Sequence, residues 1–582
     1  MTWQLGERGS VALGAMAAAL LGIVTFAPAL KHEFVYDDLP NIVDNRWIRD
    51  PRFLPEIFRS HAAGFDPKFR TSYYRPMTHV AAMASYHLFG PRPWGFHLFQ
   101  VLLHAATSVL ACLTVRGLGK RDPSLPEGGA FVAVVAGLLF ATHPAHAEAV
   151  AWLAGVTDVG FAFFALAAFL CHLGAERKGA IASAASAFFF LAAALCKEPA
   201  LMLLPLILLY ELSFRSPERS PRRPGAAVRL LPLAAALVPY LVLRVRALGG
   251  FAPVEVHLSQ EGLASIQSGF SLFAGYLGRL ILPVNLGALT AFRPVESLLD
   301  LRAIAGAVLA AGLGVAGWRL RRFPLVVIGL AVVVLPLVPA LYLPWLGEVV
   351  FAERYLYLSV LGWAILLACG AQAAITRWPK GKGVVGAAIA VVVVAYAGGS
   401  AARSRVWRSN LSLWTDAVAR SPESALAHEH LCFAQYQAGR PRDALESCRR
   451  ALDLDPGRID ARVNLATALS VLGDLDGAVA EFQRVLRYRP GSAEAHTNLG
   501  LVYMAKNRPD LAIESYRSAL RSNPHHAEAH NDLGVALALA GRREEAVAEL
   551  KEAVRLAPDN REYASNLERL SGSSGSSGPN RP

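Results

Sequence analysis

Asp37 and Asp38 stand side by side at the outlet of the first apolar segment, in the stretch Phe34-Val35-Tyr36-Asp37-Asp38. Carboxylates held against a membrane surface are costly to desolvate, so such a pair is a candidate for proton chemistry. A solvated loop or a helix cap is the alternative. Lys197-Glu198 and Glu353-Arg354 each set a cation beside an acid, and His143, His146 and Glu148 cluster within six residues. A base together with fixed cations is what a transfer reaction with an anionic leaving group requires. The histidine stretch also suggests a metal site. It begins a helix instead of repeating at i, i+4, so ligand geometry does not follow from it.

These residues are carried by a chain of two characters. Up to about residue 402 the sequence is a series of apolar runs rich in Ala, Leu, Val and Phe; beyond that it is charged, helical in pattern and soluble. The 54% hydrophobic and 18% charged content of the 582 residues comes from that first part. The net charge of +12 does not point to nucleic acid, because much of it lies in short clusters between apolar segments. About eleven spans fit the length a bilayer demands. They fall near 11–30, 94–116, 130–142, 156–174, 181–195, 199–213, 230–246, 300–318, 323–345, 355–375 and 384–401. The first has no convincing small-residue cleavage site after it and is expected to be retained.

The basic clusters are Lys120-Arg121, Arg177-Lys178, Arg215 through Arg229, Arg319-Arg321-Arg322 and Arg377-Lys380-Lys382. One path places all five in the cytoplasm, provided that 76–90 and 266–283 lie along the outer interface without crossing. Asp37, Asp38, His143, His146, Glu148, Lys197, Glu198, Glu353 and Arg354 then share the outer side. The first outer loop runs for roughly sixty residues, far beyond an ordinary connection, which marks it as functional or disordered. Its aromatics, with Tyr73-Tyr74, argue against disorder.

The soluble part repeats. Pro422, Pro456, Pro490, Pro524 and Pro558 are spaced evenly, as are Leu431, Leu465, Leu499 and Leu533, and Ala444, Ala478, Ala512 and Ala546. The period of about 34 residues, with those residue types at those offsets, is the tetratricopeptide signature. The array is an α-solenoid with a concave groove, placed outside by the final span. One offset carries His430, Asn464, Asn498 and Asp532. Asn464 and Asn498 can hold the backbone of an extended peptide, each offering a donor and an acceptor; ordinary residues of a solvated face are the equal alternative. The expected division is 1–402 membrane domain, 403–424 degenerate half-repeat, 425–570 four repeats with a closing helix, and 571–582 disordered tail. Cys432 and Cys448 face each other in one repeat, bonded or simply packed.

Several motifs, in order, resemble a known family. They are Phe34-Val35-Tyr36-Asp37-Asp38, Tyr74-Arg75-Pro76-Met77-Thr78, Phe96-His97-Leu98 with His104, His143-Pro144-Ala145-His146-Ala147-Glu148, Leu195-Cys196-Lys197-Glu198, and Ala352-Glu353-Arg354-Tyr355-Leu356-Tyr357-Leu358. The chain resembles the transmembrane and tetratricopeptide repeat-containing O-mannosyltransferases, of the multi-spanning glycosyltransferases called GT-C. The resemblance implies an all-α fold, a polytopic membrane bundle followed by the repeat solenoid. It implies inverting transfer of a sugar, mannose in this family, from a polyprenyl- or dolichyl-phosphate carrier to a Ser/Thr hydroxyl of a protein held by the repeats. A bacterial inner membrane is the expected location. A glycan or lipid acceptor, or a non-catalytic repeat scaffold, are the competing readings.

On that resemblance Asp37 or Asp38 is the base, the other orienting it or the sugar hydroxyls. Arg354 is the first choice for the lipid phosphate and Lys197 the second, with Glu353 and Glu198 holding those cations in place. His143, His146, Glu148 and Arg75 shape or support the sugar pocket. Some GT-C enzymes use a divalent ion at the acidic pair, so Mg or Mn is an open possibility here.

Overall fold

In lipid every backbone N–H and C=O must be satisfied within its own segment, so the apolar runs become helices. The computed structural model describes residues 7–66, 71–214, 226–250, 262–290, 292–297, 299–342 and 350–572. Part of the third basic cluster (215–225) and most of the expected tail (573–582) lie outside them. Two compact units divide the chain, Met1–Asp416 and Ala417–Pro582. The division falls inside the stretch read as a linker.

The first unit is all-helical among the described residues. Its helices are α1 (Glu7–Phe26), α2 (Leu54–Arg59), α3 (Pro76–Phe89), α4 (Pro93–Gly119), α5 (Ala130–Thr142), α6 (Ala147–Ala151), α7 (Val156–Cys196) and α8 (Leu203–Ser213). There follow α9 (Ala226–Leu248), α10 (Leu263–Ile281), α11 (Leu301–Arg319), α12 (Pro324–Val334), α13 (Ser359–Arg377), α14 (Lys382–Ser404) and the start of α15 (Asn410–Arg420). Nine helices among the described residues are long and apolar enough to cross a membrane, or ten if the bent pair α5–α6 counts as one span. Two of the eleven expected segments do not pass by themselves. The segment 130–142 is short and bends by 51° where Pro144 interrupts it. The segment 199–213 is an 11-residue helix, α8, entered through a 3₁₀ turn over Glu198–Met202. Neither 76–90 nor 266–283 is among the helices long and apolar enough to cross.

Two devices bring distant residues together. α7 carries Gly179 at φ +58, a conformation that favours glycine, and folds there into a hairpin of two spans. Its first turn, with Asp158, is thereby returned to its last residue, Cys196, and to Lys197 beyond it. At the α12–α13 crossing, a Cβ on Gly362 would stand 2.5 Å from the Gly329 carbonyl oxygen, so these helices meet backbone to backbone. α4 packs against α1, α5 and α7, and the core runs through Cys112, Phe140, Val159 and Leu361.

The second unit contains the end of α15 and nine helices, α16 (Ala425–Gln437), α17 (Pro441–Leu454), α18 (Ile459–Val471), α19 (Leu475–Tyr488), α20 (Ala493–Ala505), α21 (Pro509–Ser522), α22 (Ala527–Leu539), α23 (Arg543–Leu556) and α24 (Arg561–Gly572). The repeat alanines Ala444, Ala478, Ala512 and Ala546 are wholly buried where paired helices cross, and the repeat leucines are buried beside them. Each pair turns through one left-handed residue: Gly439, Gly473, Asn507 and Gly541, at φ 70, 86, 55 and 77. Cys432 and Cys448 form a disulfide between α16 and α17, with Cα atoms 5.2 Å apart.

Candidate active site

The long first loop, the α6–α7 connection and the turn before α13 enclose one cavity of about 430 Å³. That is a size typical of small-molecule sites. Asp37, Asp38, Arg75 and Arg354 line it, with the aromatic residues Tyr73, Trp152 and Tyr355 and the polar residues Gln100 and Thr157. Gln100 also fixes the end of α6, its amide donating to the carbonyls of Ala149 at 2.5 Å and Trp152 at 2.7 Å.

The two aspartates differ in what they touch. Asp38 is wholly buried, and each of its oxygens accepts a backbone N–H, from Val35 at 3.0 Å and Ala154 at 3.1 Å. Burial pushes its pKa up, opposed by those N–H donors. Asp38 therefore ties the first loop to the turn before α7. Asp37 is only partly covered and faces the cavity. Burial pushes its pKa up to about 6, while the positive charge of Arg354 draws it down. A carboxylate with a pKa close to neutrality is well matched to accepting a proton.

The cations are held by partners other than their sequence neighbours. Arg354 is gripped by Glu148, whose carboxylate accepts from its guanidinium and, at 3.1 Å, from its backbone N–H. The guanidinium also lies 5.1 Å from the Trp152 ring and 5.2 Å from the Tyr355 ring. Its Nε and Nη2 have no protein partner among the described residues. Burial pulls the Arg354 pKa down, but Glu148, Tyr355 and Asp158 together oppose it and the net shift is upward. Glu353, expected to hold Arg354, is wholly buried elsewhere; it accepts from the Gly287 N–H and lies 3.9 Å from Arg403. Burial raises its pKa to about 8, against the pull of Arg403.

Glu198, expected to hold Lys197, instead takes Arg75 through Nε (3.2 Å) and Nη2 (2.9 Å), and Arg244 at 3.2 Å. Arg75 keeps Nη1 free of any described partner. Lys197 is 2% exposed, pairs with Asp158 at 2.5 Å and sits 4.4 Å from the Tyr355 ring. It does not line the cavity. Burial lowers its pKa to about 8, with Asp158 opposing. Lys197 is thus a buried support beneath Tyr355, and Arg75 is the second cation on the cavity.

His143 and His146 are also placed differently from expectation. Both are buried off the cavity, with Nε2 at 3.1 Å from the carbonyls of Leu280 and Tyr357 respectively. His143 Nδ1 accepts from the Ala145 N–H, and Glu148 is committed to Arg354. The three side chains do not converge on a metal position. Among the described residues no group of three or more His, Cys, Asp or Glu side chains could hold a metal ion. The oxygens of Asp38 are already taken by backbone donors, which leaves Asp37 as the one carboxylate of the acidic pair open to the cavity.

In the second unit Asn464 and Asn498 are half-buried on α18 and α20, the first helices of successive repeats, and their amides have no described side-chain partner.

Tetratricopeptide-repeat family models match residues 400–459 and 497–561, and residues 435–502. Human "Protein O-mannosyl-transferase TMTC3" is 26% identical over 491 residues, 77% of this chain and 52% of that protein. Human "Protein O-mannosyl-transferase TMTC4" is 26% identical over 71% of this chain and 62% of its own length. Drosophila melanogaster "Protein O-mannosyl-transferase Tmtc3" is 25% identical over 77% and 56%. The chain resembles the repeat-containing protein O-mannosyl-transferases. It spans little more than half the length of these relatives.

Of the motifs quoted for that resemblance, Asp37, Asp38, Arg75 and Arg354 line one cavity, and Glu148 holds Arg354 beside it. Asp158 and Arg244 were missed by sequence reasoning. Each is a charge inside or at the end of an apolar run, which is costly enough to have marked it. Trp152 and Tyr355 carried no such signal.

Proposed function

We propose that the chain is an integral-membrane glycosyltransferase that moves a sugar, mannose by the resemblance, from a polyprenyl- or dolichyl-phosphate carrier to a Ser/Thr hydroxyl of a protein. The observation that carries this reading is one cavity lined, among the described residues, by one open carboxylate, Asp37, and by two arginines, Arg75 and Arg354, with N–H donors that no described residue takes. Asp37 takes the proton of the acceptor hydroxyl as its oxygen attacks the anomeric carbon. The bond from that carbon to the phosphate oxygen breaks, with inversion, and the charge passes to the lipid phosphate. Arg354 and Arg75 are suited to receive it, because a planar fork matches phosphate geometry and each is held in place by a carboxylate. Tyr73, Trp152 and Tyr355 give the same cavity aromatic walls.

The test is transfer of label from polyprenyl-phosphate [³H]mannose to protein, in membranes of cells making the full chain, with the mass of the added sugar read on the product. Labelled glycan or lipid in place of protein would redirect the acceptor. No turnover with or without the repeats would leave a scaffold.

The cavity and the repeats belong on the extracytoplasmic side of a bacterial inner membrane on the path of the basic clusters, with the short segments 130–151 and 198–213 both crossing. The Cys432–Cys448 disulfide supports an oxidising compartment for the repeats. Ser571, exposed at the end of α24, changed to Cys should react with an impermeant maleimide in spheroplasts, above the wild-type background. Reaction only after lysis would reverse the topology.

The repeats are read as the acceptor site. Removing both amides, with Asn464→Ala and Asn498→Ala together, should raise the acceptor KM roughly tenfold, the worth of one or two peptide hydrogen bonds. The donor KM should stay unchanged. An unaltered acceptor KM would remove the groove from recognition.

A further inference from the structure

Asp37 is approached from behind by a segment that belongs to no motif. Tyr36, the residue before it, has φ +51, an uncommon conformation for a bulky side chain and one that persists only where surroundings impose it. The surroundings here are residues 403–416. The Tyr36 N–H donates to the side-chain oxygen of Asn410 at 2.8 Å, and the Glu33 N–H donates to the Arg408 carbonyl at 3.0 Å. The Tyr36 ring stacks on Trp152 with centroids 6.2 Å apart and meets Trp414 edge-on at 5.1 Å. Trp407 covers Trp152 at 5.3 Å, nearly parallel.

The same segment reaches the cation side. Arg403 pairs with Asp416 at 2.8 Å and lies 3.9 Å from Glu353, the neighbour of Arg354. Arg354 in turn lies against the Trp152 ring that Trp407 covers. The strap therefore touches the backbone of the acid loop, the aromatic floor between acid and cation, and the turn that carries the cation.

We propose that Asn410 is a positioning residue for Asp37: its side-chain oxygen holds Tyr36 in the left-handed conformation that presents the following carboxylate to the cavity. The proposal rests on the reading of Asp37 as base. Asn410 touches no substrate and acts through its neighbour. Without the acceptor, Tyr36 relaxes toward an ordinary conformation and Asp37 turns away from the hydroxyl it must reach. A misplacement on the order of 1 Å costs about a hundredfold in rate.

A double-mutant cycle on the full-length protein in membranes, with polyprenyl-phosphate [³H]mannose as probe, tests this. Asn410→Ala should lower kcat about tenfold to a hundredfold with the donor KM unchanged. In an Asp37→Asn background it should have no further effect, because the group it positions is already disabled. Asn410→Asp, which keeps an acceptor at the same place, should recover most of the loss. If Asn410→Ala does not accumulate in the membrane, Asn410→Ser, too short to reach Tyr36, is read in the same cycle. Full kcat in the acceptor-lacking variant, or an equal loss in both backgrounds, would overturn the role of Asn410. A wild-type rate for Asp37→Asn alone would instead overturn the base assignment.

Discussion

Asp37→Asn is expected to slow transfer by roughly a hundredfold to ten-thousandfold, the usual worth of a general base. The substitution keeps size and hydrogen bonding and removes only basicity. Burial pushes the Asp37 pKa up to about 6, so the active, ionised form predominates above that pH. The rate should fall as pH drops through about 6, by close to tenfold per unit, and Asp37→Asn should lack that limb. Asp38→Asn should behave otherwise. Its amide would set an N–H donor against a backbone N–H of Val35 or Ala154, leaving buried donors unpaired at about 1–3 kcal/mol. The main result is then less protein in the membrane, with the pH limb retained in what remains. Initial rates between pH 5 and 8, normalised to protein level, separate the two. A wild-type rate and pH profile in Asp37→Asn would end the proposed chemistry.

Arg354→Lys is expected to lower kcat/KM for the lipid donor roughly tenfold to a hundredfold, the equivalent of one charged hydrogen bond of about 1.5–3 kcal/mol. Lysine keeps the charge that Glu148 needs but cannot hold that carboxylate and also present a planar fork to a phosphate. Deleting the charge outright is less informative. Glu148 is buried, and an unpaired carboxylate there would cost several kcal/mol of stability and obscure the kinetics. The lysine variant should therefore elute from size exclusion and melt like the wild type while turning over donor poorly. Unchanged kcat/KM for the donor, with Glu148 still paired, would remove Arg354 from phosphate recognition.

The two outcomes differ in kind, which guards the assignment. Loss of the base should appear in kcat with a changed pH profile. Loss of the fork should appear in donor use with the pH profile intact.

Much of this protein is written locally. Apolar run length specifies helices in lipid, and the even spacing of Leu, Ala and Pro specifies the repeats, because each is a one-dimensional pattern read by one helix or its neighbour. The left-handed turns at Gly439, Gly473, Asn507 and Gly541 belong to that same register. The chemistry-bearing residue types, Asp37, Arg354, Arg75 and Glu148, were also visible in the sequence. Who holds whom was not. Adjacent residues on a turn point apart, so Glu353 and Arg354 part company, as do Lys197 and Glu198. Their partners come from 206 residues away for Arg354 with Glu148, 39 for Lys197 with Asp158 and 123 for Arg75 with Glu198. The hairpin at Gly179 creates the Lys197–Asp158 pair, and the other two join segments that meet only in the folded bundle. The choice between Asp37 and Asp38 was likewise tertiary: two N–H donors, one from Ala154, 116 residues distant, occupy Asp38 and leave Asp37 facing the cavity. Sequence determined which charges border the apolar runs. Packing decided which of them remain free, because a buried charge must be matched by whatever the fold brings within reach.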